Sequence, residues 1–520
     1  MPAREYAEGQ IVADQPPSRS SQSESSTDVR ARARVRFAAR PSPTLIAAVA
    51  CVALGLISVV TEPTLPSYDP FAWVVWGREL AHHVIGPHEP FITGGGPSWK
   101  PFPVIFTTVF GFFGGAAPKL WVAVARAGGL FGLFVAYRLG SRLAASERWR
   151  LAGPIAGVVA AFGIFLTSEW THYMWRGTSE PFVVTTTLFA IERHLAGRRT
   201  TAFLSGVALA LMRPEAALFV GLYALWLFFK DRSLRTRLIL VAGLVAIPVG
   251  WFVPPWIASG QPFLSSQHAQ LYNGQLGAHP ELEVLKRATN LSVWPVMIGA
   301  LAVTVLAMRK REWVLVSLAA AGVAYVAVVE AMTADHYPGL ERFMLPAAAV
   351  AAVLAGVAVA RFALFAGGGI ASLALAAILV AIAVPFFAGR VSAAGPEKRI
   401  TARAVKYYNE MVAAVHAAGA TKAVFPCPSS RAAANHSIQT SLAWALDAPL
   451  THIYTVTKVN TTLRHPALAF FAPRNRITGG APKVFKFGLR GQLIARRGIW
   501  KVIRVTRPSG DPAVNACVGR

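Results

Sequence analysis

The run Arg36-Phe37-Ala38-Ala39-Arg40-Pro41-Ser42-Pro43-Thr44-Leu45-Ile46-Ala47-Ala48-Val49-Ala50-Cys51-Val52-Ala53-Leu54-Gly55-Leu56-Ile57-Ser58-Val59-Val60 decides the fold. From Pro43 to Val60 it carries no charge. Coiled as a helix at 1.5 Å per residue, it reaches about 27 Å, close to the thickness of the bilayer hydrocarbon. Arg30, Arg32, Arg34, Arg36 and Arg40 stand directly before it. By the positive-inside rule these arginines place the N-terminus in the cytoplasm and send the first span outward.

Outward from this run the pattern repeats. Leu238 to Ile257, Trp313 to Val329 and Ile370 to Phe387 are again long, apolar and bounded by charge. Recurrence rules out a single cleaved signal peptide. The 520 residues are 54% hydrophobic and only 15% charged, too few charges to clothe a soluble surface of that size. Mean hydropathy is +0.45, in the same direction. A net charge of +26 would suit a nucleic-acid binder. The distribution excludes that reading, because outside the C-terminal region most basic residues sit in short loops between apolar runs, as orientation signals do. Three cysteines are too few for a disulfide framework. Cys51 reads as packing within the first run, and Cys427 and Cys517 would be free to pair if their region lies outside the cytoplasm.

The basic clusters Arg138 to Arg150, Arg193 to Arg199, Lys230 to Arg237 and Arg309 to Arg311 are all placed inside. The expected fold is then a polytopic α-helical membrane protein of about eleven spans: 43–61, 121–139, 152–168, 181–194, a two-armed hairpin over 202–229 broken by Arg213-Pro214-Glu215, 238–257, 291–308, 313–331, 343–361 and 369–388. Pro101 to Phe113 is too short for a span and reads as a juxtamembrane helix on the outer face. Residues 1–41, rich in Ser, Arg, Gln and Pro, read as a disordered basic cytoplasmic tail. Residues 42–390 form the multi-pass domain, with a long outer loop at 62–120. Residues 391–520 form a small extracytoplasmic α/β domain, strongly basic, with Glu397, Glu410, Asp447 and Asp511 its only acids. Within it Ala402 to Ala418 looks helical, Lys422 to Phe425 looks like a strand, and Gln492 to Ala495 with Trp500 to Val505 looks like a hairpin.

Candidate chemistry gathers on the outer side. In Tyr68-Asp69-Pro70 the proline suits the first helical position, which makes Asp69 an N-cap. Trp73, Trp76 and Leu80 follow at i, i+3 and i+7, as on an amphipathic helix lying on the membrane surface. A capping role for Asp69 is compatible with a functional one, a carboxylate at the boundary that takes a proton from a hydroxyl. Lys100, in Trp99-Lys100-Pro101, either snorkels to bulk lipid phosphate or binds the phosphate of a lipid-linked substrate. Arg176 and Glu180 open the span at 181, Arg213 and Glu215 sit at the hairpin tip, and Glu341-Arg342 precede the span at 343. Such ionisable groups at membrane depth mark a pathway or pair with one another, as Arg213 would with Glu180 or Glu215, or Glu341 with Arg342 at the boundary. His82 and His83 are adjacent and do not share a helix face, which argues against a metal pair. No Walker loop, dinucleotide-binding glycine fingerprint or His-Glu-x-x-His occurs. The sequence calls for no cofactor, and a divalent metal stays open.

The set formed by Tyr68-Asp69-Pro70, Trp99-Lys100-Pro101, Ser179-Glu180-Pro181 and Arg213-Pro214-Glu215, over roughly residues 43–390, resembles the GT-C superfamily of polytopic glycosyltransferases, in particular the protein mannosyltransferase and aminoarabinose transferase type. The resemblance implies a sugar transfer from a polyprenyl-phosphate donor to an envelope glycan, lipid or protein acceptor on the outer face of the cell membrane. Asp69 would be the general base. Lys100 and Arg213 would hold the donor phosphate, helped by Arg78 or Arg176, with Glu180 and Glu215 on substrate hydroxyls. One departure is that many members carry paired acids in the first loop, whereas here Pro70 follows Asp69. The rival readings are a membrane transporter or lipid flippase, which would show inverted repeats and midplane sites, and a non-catalytic protein of the same fold acting in envelope assembly.

Overall fold

The computed structural model describes residues 42–86, 93–270, 279–425, 430–455, 467–475, 477–479 and 490–506. The basic tail, and Cys427 and Cys517 with their pairing, lie outside the described residues. Residues 47–520 form one compact unit, and residues 1–46 are apart from it.

The chain runs as α1 (Pro43–Thr61), α2 (Tyr68–Ile85), α3 (Pro101–Gly111), α4 (Ala117–Leu143), α5 (Ala152–Phe165), α6 (Trp170–Trp175), α7 (Glu180–Leu195), α8 (Arg199–Ala210), α9 (Ala216–Lys230), α10 (Leu234–Ser259), α11 (Leu264–Gln270), α12 (Pro280–Leu291), α13 (Trp294–Arg309), α14 (Trp313–Ala334), α15 (Leu345–Ala363) and α16 (Gly369–Ala394). Then come α17 (Pro396–Ala417), α18 (Ala420–Val424), β1 (Ala432–Ala434), α19 (Gln439–Ala445), β2 (Ile453–Thr455), β3 (Ala467–Phe471), β4 (Arg490–Arg497) and β5 (Trp500–Thr506). Many starts are written locally: a proline occupies one of the first two helical positions in α3, α4, α7, α12, α13, α15 and α17, where its missing N–H costs nothing.

Among the described residues, six helices are long and apolar enough to cross a membrane. They begin at Pro43, Gly114, Leu234, Trp313, Glu341 and Gly369. The pair α12 and α13, bent by 95° at Ser292-Val293, would be a seventh if taken as one span. Several of the eleven expected spans are shorter: α5 has 14 residues, and the hairpin arms α8 and α9 have 12 and 15. The expected hairpin is present, its arms joined through Arg213-Pro214-Glu215. α1, α14 and α16 turn most of their apolar side chains outward, as lipid-facing helices do, whereas α15 is enclosed. α15 packs against α4, α5, α7, α13 and α14. Gly356 makes this possible, since a Cβ there would stand 2.2 Å from the Ala156 carbonyl oxygen. Small residues let helix backbones approach where lipid supplies no hydrophobic push.

α2 departs from expectation. It does not present one face to a membrane surface. Trp73, Val74, Val75 and Trp76 are all buried, and Arg78 and Glu79 with them. One side lies on α3, where a Cβ on Gly77 would meet the Thr107 carbonyl carbon at 2.3 Å. The other side lies against α19. The Trp73–Trp76–Leu80 stripe was legible, but Val74, Val75 and Gly77 complete an apolar circumference, and a helix apolar all round is buried.

The C-terminal region is α/β, with a five-stranded sheet ordered β2-β1-β3-β5-β4. β1 runs parallel to β2 and β3, β5 antiparallel to β3 and β4. The β4–β5 hairpin lies where the sequence placed it, with a register shift at Leu493/Ala495. Lys422 to Phe425 does not form a strand: α18 occupies Ala420–Val424 after Gly419 turns the chain at φ 96°. So short an apolar run carries no period to separate strand from helix. The region shares a core with the first outer loop, where Leu442, Leu446 and Leu450 cluster with Trp73, Trp76, Trp99 and Trp121.

Candidate active site

The second half of the 62–120 loop leads an extended Lys100 into α3, and the proline after it disfavours helix at Lys100. Its ammonium is buried and donates to Ser179 Oγ at 2.9 Å. It also stands 5.2 Å from the centre of the Trp73 ring. Lys100 lies outside the six spans; burial, and the positive Arg213 nearby, pull its pKa down to about 8.

Glu180 begins α7, where a carboxylate faces the positive end of the helix dipole. It is wholly buried. Its Oε1 lies 2.7 Å from Arg213 Nη2 and 3.8 Å from Arg342 Nε. Arg213 also donates to the Arg342 carbonyl at 3.4 Å and stacks at 4.4 Å over Phe343. Arg342, in the 3-10 turn before α15, reaches Asp69 Oδ2 with Nη1 at 3.3 Å. Asp69, Glu180, Arg213 and Arg342 are thus one linked array, with Lys100 beside it. The α2 N-cap is Ser67, one position earlier than expected for Asp69, as the Phe71 N–H to Ser67 carbonyl bond shows. Asp69 therefore sits in the first turn with its carboxylate turned to Arg342 rather than to the backbone.

Asp69, Lys100, Arg213 and Arg342 line a cavity of about 910 Å³ together with Tyr68, Asp335, Trp251 and His436. Glu180 and Glu215 do not line it. Glu180 stands behind the arginines as their counter-ion, and Glu215 is buried at the hairpin tip beside Arg213. Both lie apart from the cavity where hydroxyl-binding groups were expected.

Arg78 and Arg176 are elsewhere. Arg176 accepts the Ser67 N–H on its carbonyl at 3.0 Å and points its guanidinium at the Pro66 carbonyl, bracing the entry to α2. Arg78 clamps the C-terminal region: it pairs with Asp447 Oδ1 at 2.9 Å, donates to the carbonyls of Ala448 and Trp444 at 3.0 and 3.5 Å, and lies 5.0 Å over the Trp444 ring. Asp447 is largely exposed, so the ion pair itself contributes little. The buried charged donor on carbonyls matters more. Arg78→Met is expected to cost about 1.5–3 kcal/mol, read as a lower unfolding temperature and faster proteolytic release of the C-terminal region.

Two residues of the array escaped the sequence reading. Arg342 was legible as an ionisable group before an apolar run, but its partners are Asp69 and Glu180 instead of Glu341. His436 offered no local signal, being 368 residues from Tyr68, against which it packs.

Fold and site together define a multi-pass membrane protein of GT-C architecture, its cation-rich cavity walled partly by a C-terminal α/β region. No family model and no curated protein matches the sequence. Among solved structures the chain is similar to ArnT, the aminoarabinose transferase of Cupriavidus metallidurans, bound to undecaprenyl phosphate. The TM-score is 0.54 at 15% identity, over 92% of this chain and 99% of that one. The apo state of the same enzyme gives 0.51 at 16%, over 88% and 97%. At this identity the likeness is one of fold.

Proposed function

We propose that this chain is an inverting glycosyltransferase that moves a sugar from a polyprenyl-phosphate donor to a hydroxyl of a cell-envelope acceptor. The observation that carries the reading is the convergence, from four distant parts of the chain, of Asp69, Lys100, Arg213 and Arg342 on one cavity. The topology that suits it has eleven crossings, the N-terminus in the cytoplasm and the C-terminal region outside, so that the cavity opens to the envelope. The undecaprenyl phosphate of the ArnT structure is a ligand of the class this cavity would take.

In the proposed reaction the acceptor O–H gives its proton to the Asp69 carboxylate as its oxygen bonds to the anomeric carbon. The bond from that carbon to the donor phosphate oxygen breaks, and the polyprenyl phosphate leaves with the electron pair. A single displacement inverts the anomeric centre. Lys100 and Arg213 neutralise the charge that grows on the phosphate, in a site where they are already oriented. Lys100 suits this role because its hydrogen-bond partner is a neutral hydroxyl. Glu180 acts on the arginines, holding both guanidiniums in place.

The test is transfer by the purified full chain in lipid nanodiscs from undecaprenyl phosphate carrying radiolabelled arabinose, mannose or glucose, with the anomeric configuration of the product read by NMR. Uptake or flipping of these lipids without any transfer would reject the reading in favour of a transporter. Lys100→Met should raise the donor KM by about 10- to 100-fold, the worth of a charged hydrogen bond. With its pKa near 8, Lys100 is charged below that pH and loses its proton above it. Donor affinity in the wild type should therefore be full below pH 8 and fall above it, and the Lys100→Met variant should lack that alkaline limb.

A further inference from the structure

His436 enters the cavity from the C-terminal region, between β1 and α19, and lines it together with Asp69. Its ring packs on Tyr68, the residue before Asp69, with centroids 4.3 Å apart. The hydrogen bonds fix its proton. Gln439 donates its amide N–H to the Ile453 carbonyl at 3.0 Å, which orients the amide and leaves Oε1 as an acceptor. Tyr68 donates its one hydroxyl proton to that Oε1 at 2.8 Å. The contact of 3.3 Å between the Tyr68 oxygen and His436 Nδ1 then has one direction. The tyrosine oxygen accepts, and Nδ1 carries the hydrogen. The lone pair of the neutral ring is on Nε2, the nitrogen remote from Tyr68. Burial holds the ring's pKa below its ordinary value, against the pull of Asp69, so the neutral form prevails at neutral pH.

We infer that His436 is an acceptor-binding residue of the Asp69 site, its Nε2 taking a hydrogen bond from a hydroxyl of the incoming acceptor while Nδ1 is anchored to Tyr68. The inference rests on the proposed glycosyl transfer and adds to it a specificity group on the acceptor side. It also gives the C-terminal region a direct part in the site. Tyr68, Gln439 and the β2 residue Ile453 form a relay that sets the ring's tautomer, so the docking of this region on α2 governs which atom faces the acceptor.

Two measurements decide it. The first needs no substrate: the full chain in nanodiscs, labelled with ¹⁵N-histidine, with the His436 signals identified by their loss in His436→Gln. Protonated Nδ1 and unprotonated Nε2 are expected, with Tyr68→Phe abolishing that preference. A proton on Nε2 in the wild type would overturn the inference. The second uses n-octyl glucoside as a hydroxyl acceptor probe with the radiolabelled undecaprenyl-phosphate sugars. Gln places a polar atom where Nε2 was, and Asn places one where Nδ1 was. His436→Gln should keep the acceptor KM within about threefold, whereas His436→Asn and His436→Ala should raise it by about tenfold, with donor KM unchanged throughout. Rescue by Asn and not by Gln would show that His436 only braces Tyr68, against the inference. Loss of transfer in Asp69→Asn beside an unchanged acceptor KM in His436→Ala would sink this inference alone. A wild-type protein that transfers from none of the donors would sink the proposed function and the inference with it.

Discussion

Asp69→Asn is expected to lower the turnover of sugar transfer by about 10²- to 10⁴-fold, the range a positioned general base contributes. The substitution keeps size and the ability to accept a hydrogen bond, and removes only the capacity to take a proton. Its structural cost is small. The Asp69–Arg342 pair is partly exposed on both sides, 19% and 29%, and pairs of that kind are worth about 1 kcal/mol or less. Asp69 does not cap α2, so the helix keeps its start at Ser67. The donor phosphate is assigned to Lys100 and Arg213, so donor KM should stay within a few-fold of wild type. A fall in turnover alone, in a folded protein that still binds undecaprenyl phosphate, marks a proton-transfer defect. Turnover near the wild-type level would remove Asp69 from the base role, and a parallel loss of donor binding would recast it as the group that orients Arg342.

How far the sequence could be read depends on the distance over which each feature is determined. The α8–α9 hairpin was legible because Arg213-Pro214-Glu215 interrupts an apolar run between two basic clusters, a pattern contained in 28 consecutive residues, 202–229. The starts of α1, α3 and α7 were legible from a proline at the head of an apolar stretch. The bend of 95° between α12 and α13 was not, since Ser292-Val293 carries no breaker residue. Nor was the burial of α2. Its pattern shows where apolar groups stand, and the cover on its second side comes from α19, far along the chain. The site divides along the same line. Asp69, Lys100, Glu180 and Arg213 announced themselves as charges where charge is expensive. Arg78 and Arg176 carried the same signal and turned out to hold the architecture, because depth in the membrane marks a charge as paired without saying with what. The count of crossings suffers likewise: basic clusters give the sidedness of loops, and helices as short as α5 satisfy that sidedness without the length to span alone.

Glu180→Gln is expected to destabilise the folded protein by about 3–5 kcal/mol, the cost of stranding a buried charge. Both side chains of the Arg213–Glu180 pair are at most 2% exposed, so water cannot stand in for the missing carboxylate. Arg342 loses one of its two acids at the same stroke. The effect should extend to Lys100, whose charge Glu180 supports. With that support gone, the lysine pKa moves lower, and the alkaline fall in donor affinity should begin below the wild-type pH 8. The double variant Glu180→Met with Arg213→Met separates fold from function. Replacing both members of a buried pair by apolar groups of similar volume is often neutral for stability, so the double variant should recover most of the unfolding temperature that Glu180→Gln loses. It should not recover donor binding, since the second phosphate-holding cation is gone. Thermal unfolding and undecaprenyl-phosphate binding, measured on the same nanodisc samples, give the two readings. Recovery of both would mean that the buried pair is there for the fold alone and that Lys100 and Arg342 hold the phosphate without Arg213. Recovery of neither would mean that the pair sets the geometry of the hairpin tip, a role that apolar side chains of the same bulk do not fill.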